Sequence, residues 1–146
     1  MNASKTNPIK KRDVLKIYTD GASRGNPGHA ACAFIFVKDN DIFYSDKHDL
    51  GDRITNNEAE YKAIIKALEK AVEYTGWQVE IYSDSELVIN QINGEWRIKK
   101  NHLKDLYSQI ITEKEKFKEV KFFYVRRENK FIKEADKLCN ECLDKI

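Results

Sequence analysis

The chain has 146 residues, 41% of them apolar, which is enough to bury one continuous core and too few for two ordinary domains. Its 26 Lys and Arg stand against 24 Asp and Glu, so a formal net charge of +2 does not by itself announce a nucleic-acid binder. No stretch approaches the roughly 18 apolar residues of a membrane span, the N-terminus lacks the apolar centre of a signal peptide, and three cysteines do not suit a secreted disulfide framework; a soluble, cytoplasmic protein without a membrane partner is expected.

Residues 1–12 are polar and basic and read as a flexible tail, leaving 13–146 as the folded domain. Residues 14–19 form the first strand, a Gly/Asn/Pro turn follows, and the apolar run 30–37 completes a hairpin. The polar cluster 38–41 leads to a third strand over 42–50, so the first third of the chain is an antiparallel meander. The hydrophobic period then changes to that of a helix, with Tyr61, Ile64, Ile65, Leu68, Ala71 and Val72, until Gly76 precedes a strand at 79–83.

Ser85 can cap a short helix that ends near Gly94, and Leu103, Leu106, Tyr107, Ile110, Ile111 and Phe117 mark another. A strand at 120–125 and a helix from about Ile132 close the chain. The order βββ-α-β-α-α-β-α predicts an α/β fold, with a mixed sheet of about five strands, a meander followed by parallel strands, and helices on both faces. Cys139 and Cys142 form a C-x-x-C, but Ile132, Ala135, Leu138, Cys139, Cys142, Leu143 and Ile146 share one helical face and no second Cys/His pair accompanies them. Packed small side chains explain them better than zinc or redox chemistry.

Four carboxylates, Asp20, Glu60, Asp84 and Asp136, fall at the edges of these elements. Each has a structural explanation of its own. Asp20 beside Gly21 can be a turn aspartate, Glu60 three residues after Asn57 a capping-box glutamate, and Asp84 and Asp136 can complement helix dipoles. Together they point elsewhere. Parallel strands joined by right-handed crossovers bring their C-terminal ends, and the starts of the following helices, to one sheet edge. Four carboxylates gathered there repel one another unless a divalent cation is present, and oxygen-only ligands favour Mg²⁺ or Mn²⁺ over zinc. With those four committed to metal, 26 basic residues would face 20 acidic ones, a balance suited to a polyanion. On charge counts alone a solvated mixed-charge surface is the simpler account.

The segments YTDGASRGNPG at 18–28, RITNNEAEY at 53–61, YSDS at 82–85 and EADKL at 134–138 resemble, in order and spacing, the motifs of the type 1 ribonuclease H family within the ribonuclease H-like superfamily. The resemblance covers residues 14–146. It implies an endonuclease that hydrolyses the RNA strand of an RNA/DNA hybrid to 5′-phosphate and 3′-hydroxyl ends, acting as a monomer. It further implies that Asp20, Glu60, Asp84 and Asp136 hold two metal ions, Mg²⁺ or alternatively Mn²⁺, roughly 3.5–4 Å apart across the scissile phosphate. By the same resemblance Gly21, Ser23, Asn26, Asn56, Glu60 and Ser85 face 2′-hydroxyls and sugars of the RNA strand, the group that separates RNA from DNA. Arg53, Thr55 and Asn101 match a phosphate pocket for the DNA strand, with Arg53 and Thr55 expected on one strand face; a surface ion pair is the alternative for Arg53. Trp96 falls where an aromatic can meet DNA sugars, although core packing is the expectation for it. Activity on double-stranded RNA, or a non-catalytic hybrid-binding role, are the alternatives; retention of all four carboxylates argues against the latter.

Two departures mark the chain as resembling a compact subgroup. It runs directly from Gly94-Glu95-Trp96 through Arg97, Lys99 and Lys100 to Asn101, without the basic protrusion many members insert, so fewer phosphates are neutralised and a shallower salt dependence is expected. The loop before Asp136, YVRRENKFIKEAD, lacks the histidine many members carry, and His29, His48 and His102 lie elsewhere with structural roles expected. Arg127 is the candidate substitute, able to attract a departing phosphate but not to transfer its proton near pH 7.

Overall fold

A computed structural model describes residues 7–145. Five strands, β1 (Val14–Arg24), β2 (Gly28–Lys38), β3 (Asp41–Ile54), β4 (Gln78–Ser83) and β5 (Glu119–Tyr124), form one sheet in the order β3-β2-β1-β4-β5. β1, β2 and β3 pair antiparallel, while β4 and β5 extend the sheet parallel to β1, as the element order predicts. The helices are α1 (Asn56–Ala71), α2 (Glu86–Ile92), α3 (Asn101–Lys114) and α4 (Lys130–Asp144).

β2 is buried almost end to end because both of its faces are covered. Phe34 and Phe36 point into the main core with Leu15, Ile17, Ile64, Leu68, Ile81 and Ile110, beneath α1 and α3. On the opposite face, Ala31 and Ala33 leave room for Cys139 and Leu143 of α4, and Ile35 and Val37 pack with Tyr18 and Phe131. Cys139 is buried and its Sγ donates to the Ala31 carbonyl at 3.3 Å, while Cys142 is half-buried, so packing explains the C-x-x-C. Among the described residues no helix is long and apolar enough to cross a membrane.

Two expectations change and one alternative account is excluded. Residues 7–12 are docked rather than a flexible tail: Ile9 is only 8% exposed and joins the core, the Asn7 amide donates to the Tyr74 carbonyl at 2.9 Å, and Arg12 lies over the Trp77 ring. The buried Ile9, the Asn7–Tyr74 hydrogen bond and the Arg12–Trp77 contact together seat the segment; residues 1–6 of the expected tail lie outside the described residues. Helix α1 is capped by Thr55 and Glu58, whose side chain and backbone groups exchange hydrogen bonds, not by Asn57 and Glu60. Trp96 is 45% exposed rather than core, its backbone N–H held by the Asn90 carbonyl after α2 ends.

Candidate active site

The in-register pairing of β1 with β4 ends at Tyr18 and Tyr82, and two residues beyond each stand Asp20 and Asp84. A strand alternates its side chains with a period of two, so Asp20 continues the β1 face that carries Tyr18, stacked on Tyr82, while Asp84 stands just past the end of β4. Asp20 is not in a turn, as its neighbour Gly21 suggested. It lies inside β1 opposite Ala33, only 6% exposed, because β1 runs on to Arg24 along β2.

Glu60 reaches the same point from the first turns of α1. Its Oε1 accepts from the Gly21 backbone N–H at 2.7 Å, and the lack of a side chain at Gly21 is what lets α1 come so close. With Thr55 and Glu58 serving as the cap, Glu60 is free for this contact. One carboxylate oxygen from each of Asp20, Glu60 and Asp84 lies within 4.8 Å of the others. Asp136 lies on α4, about two turns in from Lys130 rather than at the helix start; it borders the same cleft, outside that close triad.

The cleft has a volume of about 380 Å³ and is lined by the four acids together with Gly21, Ala22, Asn56 and Arg127. Burial pushes Asp20 up to about 8, and the charges of Asp84 and Asp136 add to this. Burial likewise raises Glu60 well above the carboxylate range, reinforced by Asp20 and Asp84 and opposed by the Gly21 N–H. Asp20 Oδ2 is buried without a hydrogen-bond partner among the described residues. A buried acceptor facing two more carboxylates is poorly accommodated by protein groups alone, and it fits a hard divalent cation held by oxygen ligands. The Arg127 guanidinium Nε stands 3.5 Å from Asp84 Oδ2, with its side chain 89% exposed at the cleft mouth. A larger cleft of about 560 Å³ between β3, α1 and α3 holds Lys62, Lys66 and His102 among Glu58, Glu69 and Asp105, and no part of the triad. None of the three histidines borders the carboxylate cleft.

Of the other candidate residues, Ser23, Asn26 and Asn56 come together. The Asn56 side chain accepts from the Ser23 N–H at 2.9 Å, and Asn26 accepts from the Asn56 N–H at 3.0 Å, fastening the first hairpin to the start of α1. Ser85 is the N-cap of α2, accepting from the Val88 N–H at 3.3 Å. Arg53, Thr55 and Asn101 do not border the cleft. Nor do Arg53 and Thr55 share a regular strand face: Arg53 has φ of 60° inside a β-bulge and Thr55 lies past the strand end as the α1 cap. Asn101 opens α3, the helix that packs on α1. Asn129 escaped notice as a structural residue; its side chain accepts from the Phe131 and Ile132 N–H groups and so starts α4 immediately after Arg127 and Glu128. An Asn directly before the final apolar period was the available signal.

Residues 18–142 match a family model described as reverse transcriptase-like. The fold superposes on RNase H1 of the halophilic archaeon Halobacterium salinarum with a TM-score of 0.86 and 35% identity, covering 92% of this chain and 100% of that one. LC11-RNase H1, whose structure was determined in complex with an RNA/DNA hybrid, gives a TM-score of 0.84 and 33% identity over 90% of this chain and 97% of that one. Among curated relatives, the bifunctional protein Rv2228c of Mycobacterium tuberculosis is 33% identical over 129 residues, 88% of this chain. The chain spans 35% of the length of that protein, and about a third of the first curated relatives it matches.

Proposed function

The chain belongs to the ribonuclease H1 family, and from that membership we propose that it is an endonuclease hydrolysing the RNA strand of RNA/DNA hybrids to 5′-phosphate and 3′-hydroxyl ends with the help of divalent cations. The observation that carries the reading is the triad of Asp20, Glu60 and Asp84, with one oxygen from each mutually within 4.8 Å around a buried, unpartnered Asp20 oxygen. Mg²⁺ is the cation proposed, two per site, with Mn²⁺ as the alternative, since the donor set is all oxygen. When bound, such cations supply an acidified water and a counter-charge for the reacting phosphate. Asp20, Glu60 and Asp84 would hold them, with Asp136 contributing from the α4 side of the cleft.

The remaining groups bind and orient. Gly21 and the linked Ser23, Asn26 and Asn56 form a polar rim beside the carboxylates, and hydroxyl and amide groups of this kind suit 2′-hydroxyls, which donate as well as accept. Ser85 adds a hydroxyl next to Asp84, at the start of α2. Arg53, Thr55 and Asn101 are assigned, from the family resemblance, to a phosphate of the DNA strand; Thr55 can still offer its hydroxyl proton while its oxygen caps α1. Arg127 places a permanent positive charge at the mouth, where it attracts the phosphate as it arrives and as it leaves.

The test incubates end-labelled RNA/DNA hybrid, duplex RNA, duplex DNA and single-stranded RNA with the protein, with and without Mg²⁺. Mg²⁺-dependent cutting of the hybrid is expected; no cutting of the hybrid, or cutting that needs no metal, overturns the reading. Equal cutting of duplex RNA would broaden the substrate class to both duplexes with 2′-hydroxyls.

A further inference from the structure

At the end of the sheet where β2 leaves the first hairpin, His29 faces an excess of partner strand. Gly28 pairs with Ile54 but Ala30 pairs with Gly51, so His29 opposes both Asp52 and Arg53 in a β-bulge. Gly51 has φ of 89° and Arg53 of 60°; the first is natural for glycine, the second is a conformation that a long side chain adopts only when its surroundings hold it there. The holding contacts are specific. His29 Nδ1 lies 2.7 Å from Asp52 Oδ1 and His29 Nε2 lies 2.7 Å from Asp49 Oδ1, while Asp49 Oδ1 also accepts the Gly51 N–H at 2.8 Å. Ionised carboxylates only accept, so two of them on the two ring nitrogens require both nitrogens to donate, and that is the imidazolium form.

We propose that His29 is a positioning residue for hybrid binding: its doubly donating ring staples Asp49 to Asp52 across the bulge and thereby aims Arg53 at a backbone phosphate of the substrate. The proposal rests on the reading of Arg53 as a substrate ligand given above. Without the staple, the bulge is free to relax Arg53 toward an ordinary negative φ, and the guanidinium leaves its approach direction. The other charged groups around His29 do not replace it. Arg24, its register partner on β1, is engaged by Asp144 of α4, and Lys47 further along β3 is engaged by Glu141 of α4. The two aspartates raise the His29 ring above its ordinary value of 6.5, so the staple is complete below that raised value and opens as the pH rises through it.

The experiment measures KM and kcat for a hybrid substrate, and the Kd of the same hybrid by fluorescence anisotropy with Ca²⁺ in place of Mg²⁺, from pH 6 to 9, for wild type, His29→Asn, Asp52→Asn and His29→Arg; ring carbon shifts of His29 are followed by NMR over the same range. His29→Asn and Asp52→Asn are expected to raise KM and Kd by roughly threefold to tenfold, the scale of one loosened guanidinium–phosphate contact, with kcat little changed. In wild type, KM and Kd should rise as the His29 resonances titrate, above the ordinary histidine range. His29→Arg, which keeps the charge at every pH, should restore tight binding without that titration. Unchanged Kd in His29→Asn, or a His29 ring that titrates at its ordinary value, overturns the proposal. If wild type leaves the hybrid uncut, the nuclease reading fails instead, and the Kd and NMR arms still decide whether His29 sets binding.

Discussion

The carboxylate of Glu60 accepts the backbone N–H of Gly21 at 2.7 Å, so the helix that brings one buried acid is fastened to the strand that carries another, Asp20, one residue away. The relative position of the two acids is therefore set by a backbone contact that only a side-chain-free residue permits. A Cβ at Gly21 would lie 2.3 Å from both the carbonyl carbon and oxygen of Ala59.

Gly21→Ala is accordingly expected to push the start of α1 off β1. A loss of about 1–3 kcal/mol is expected, as for overpacking a well-filled site. It should be read as a lower urea midpoint at unchanged m-value. Cleavage should fall further than stability alone accounts for, because Glu60 moves with the helix. A variant of wild-type stability and activity would show that the close approach does not matter.

Asp84→Asn should keep the fold and hybrid binding but lower kcat by about a thousandfold or more, since a neutral amide is nearly isosteric yet a poorer ligand for a hard cation. Anisotropy binding and single-turnover cleavage separate the two effects. Retained turnover would remove Asp84 from the reacting centre.

The metal-free protein should lose stability as the pH rises. Asp20 holds its proton in the fold up to about 8 but loses it near its ordinary 3.8 when unfolded. Between those values the native state therefore binds more protons than the unfolded chain, so unfolding becomes easier with increasing pH. Mg²⁺ should then raise Tm more at pH 8 than at pH 5, and Asp20→Asn should stabilise the metal-free protein at pH 8 by on the order of 1–2 kcal/mol while abolishing cleavage. Calorimetry at the two pH values, with and without Mg²⁺, checks both statements; a metal-free Tm that climbs from pH 5 to 8 would contradict them.

Arg127→Ala should lower turnover several-fold and leave stability within about 0.5 kcal/mol, as expected for an exposed side chain whose single ion pair is long and solvent-screened. Equal single-turnover and steady-state rates in the variant and wild type would leave Arg127 without a part in the reaction.

Much of this molecule was legible in its residues. The switch from alternating to helical periodicity located five strands and four helices, because a sheet face and a helix face bury apolar side chains at different repeats whatever surrounds them. Asp20, Glu60 and Asp84 could be nominated because their segments stand at corresponding ends of parallel elements, and in-register pairing of β1 with β4 brings two of them side by side. What local pattern could not supply was anything that depends on which strand lies opposite. Asp20 looked like a turn residue because β1 gains its last residues only from pairing with β2. Arg53 looked like half of a strand-face pair because the bulge that turns it is created by a count mismatch between β2 and β3. Likewise Ile9 looked like part of a loose tail because the core that receives it is assembled from distant segments. Periodicity thus determined the elements, and position at their edges nominated the carboxylates; register, bulges and close backbone approach, which arise only when those elements are paired in space, decided how the carboxylates face one another and which neighbours hold them there.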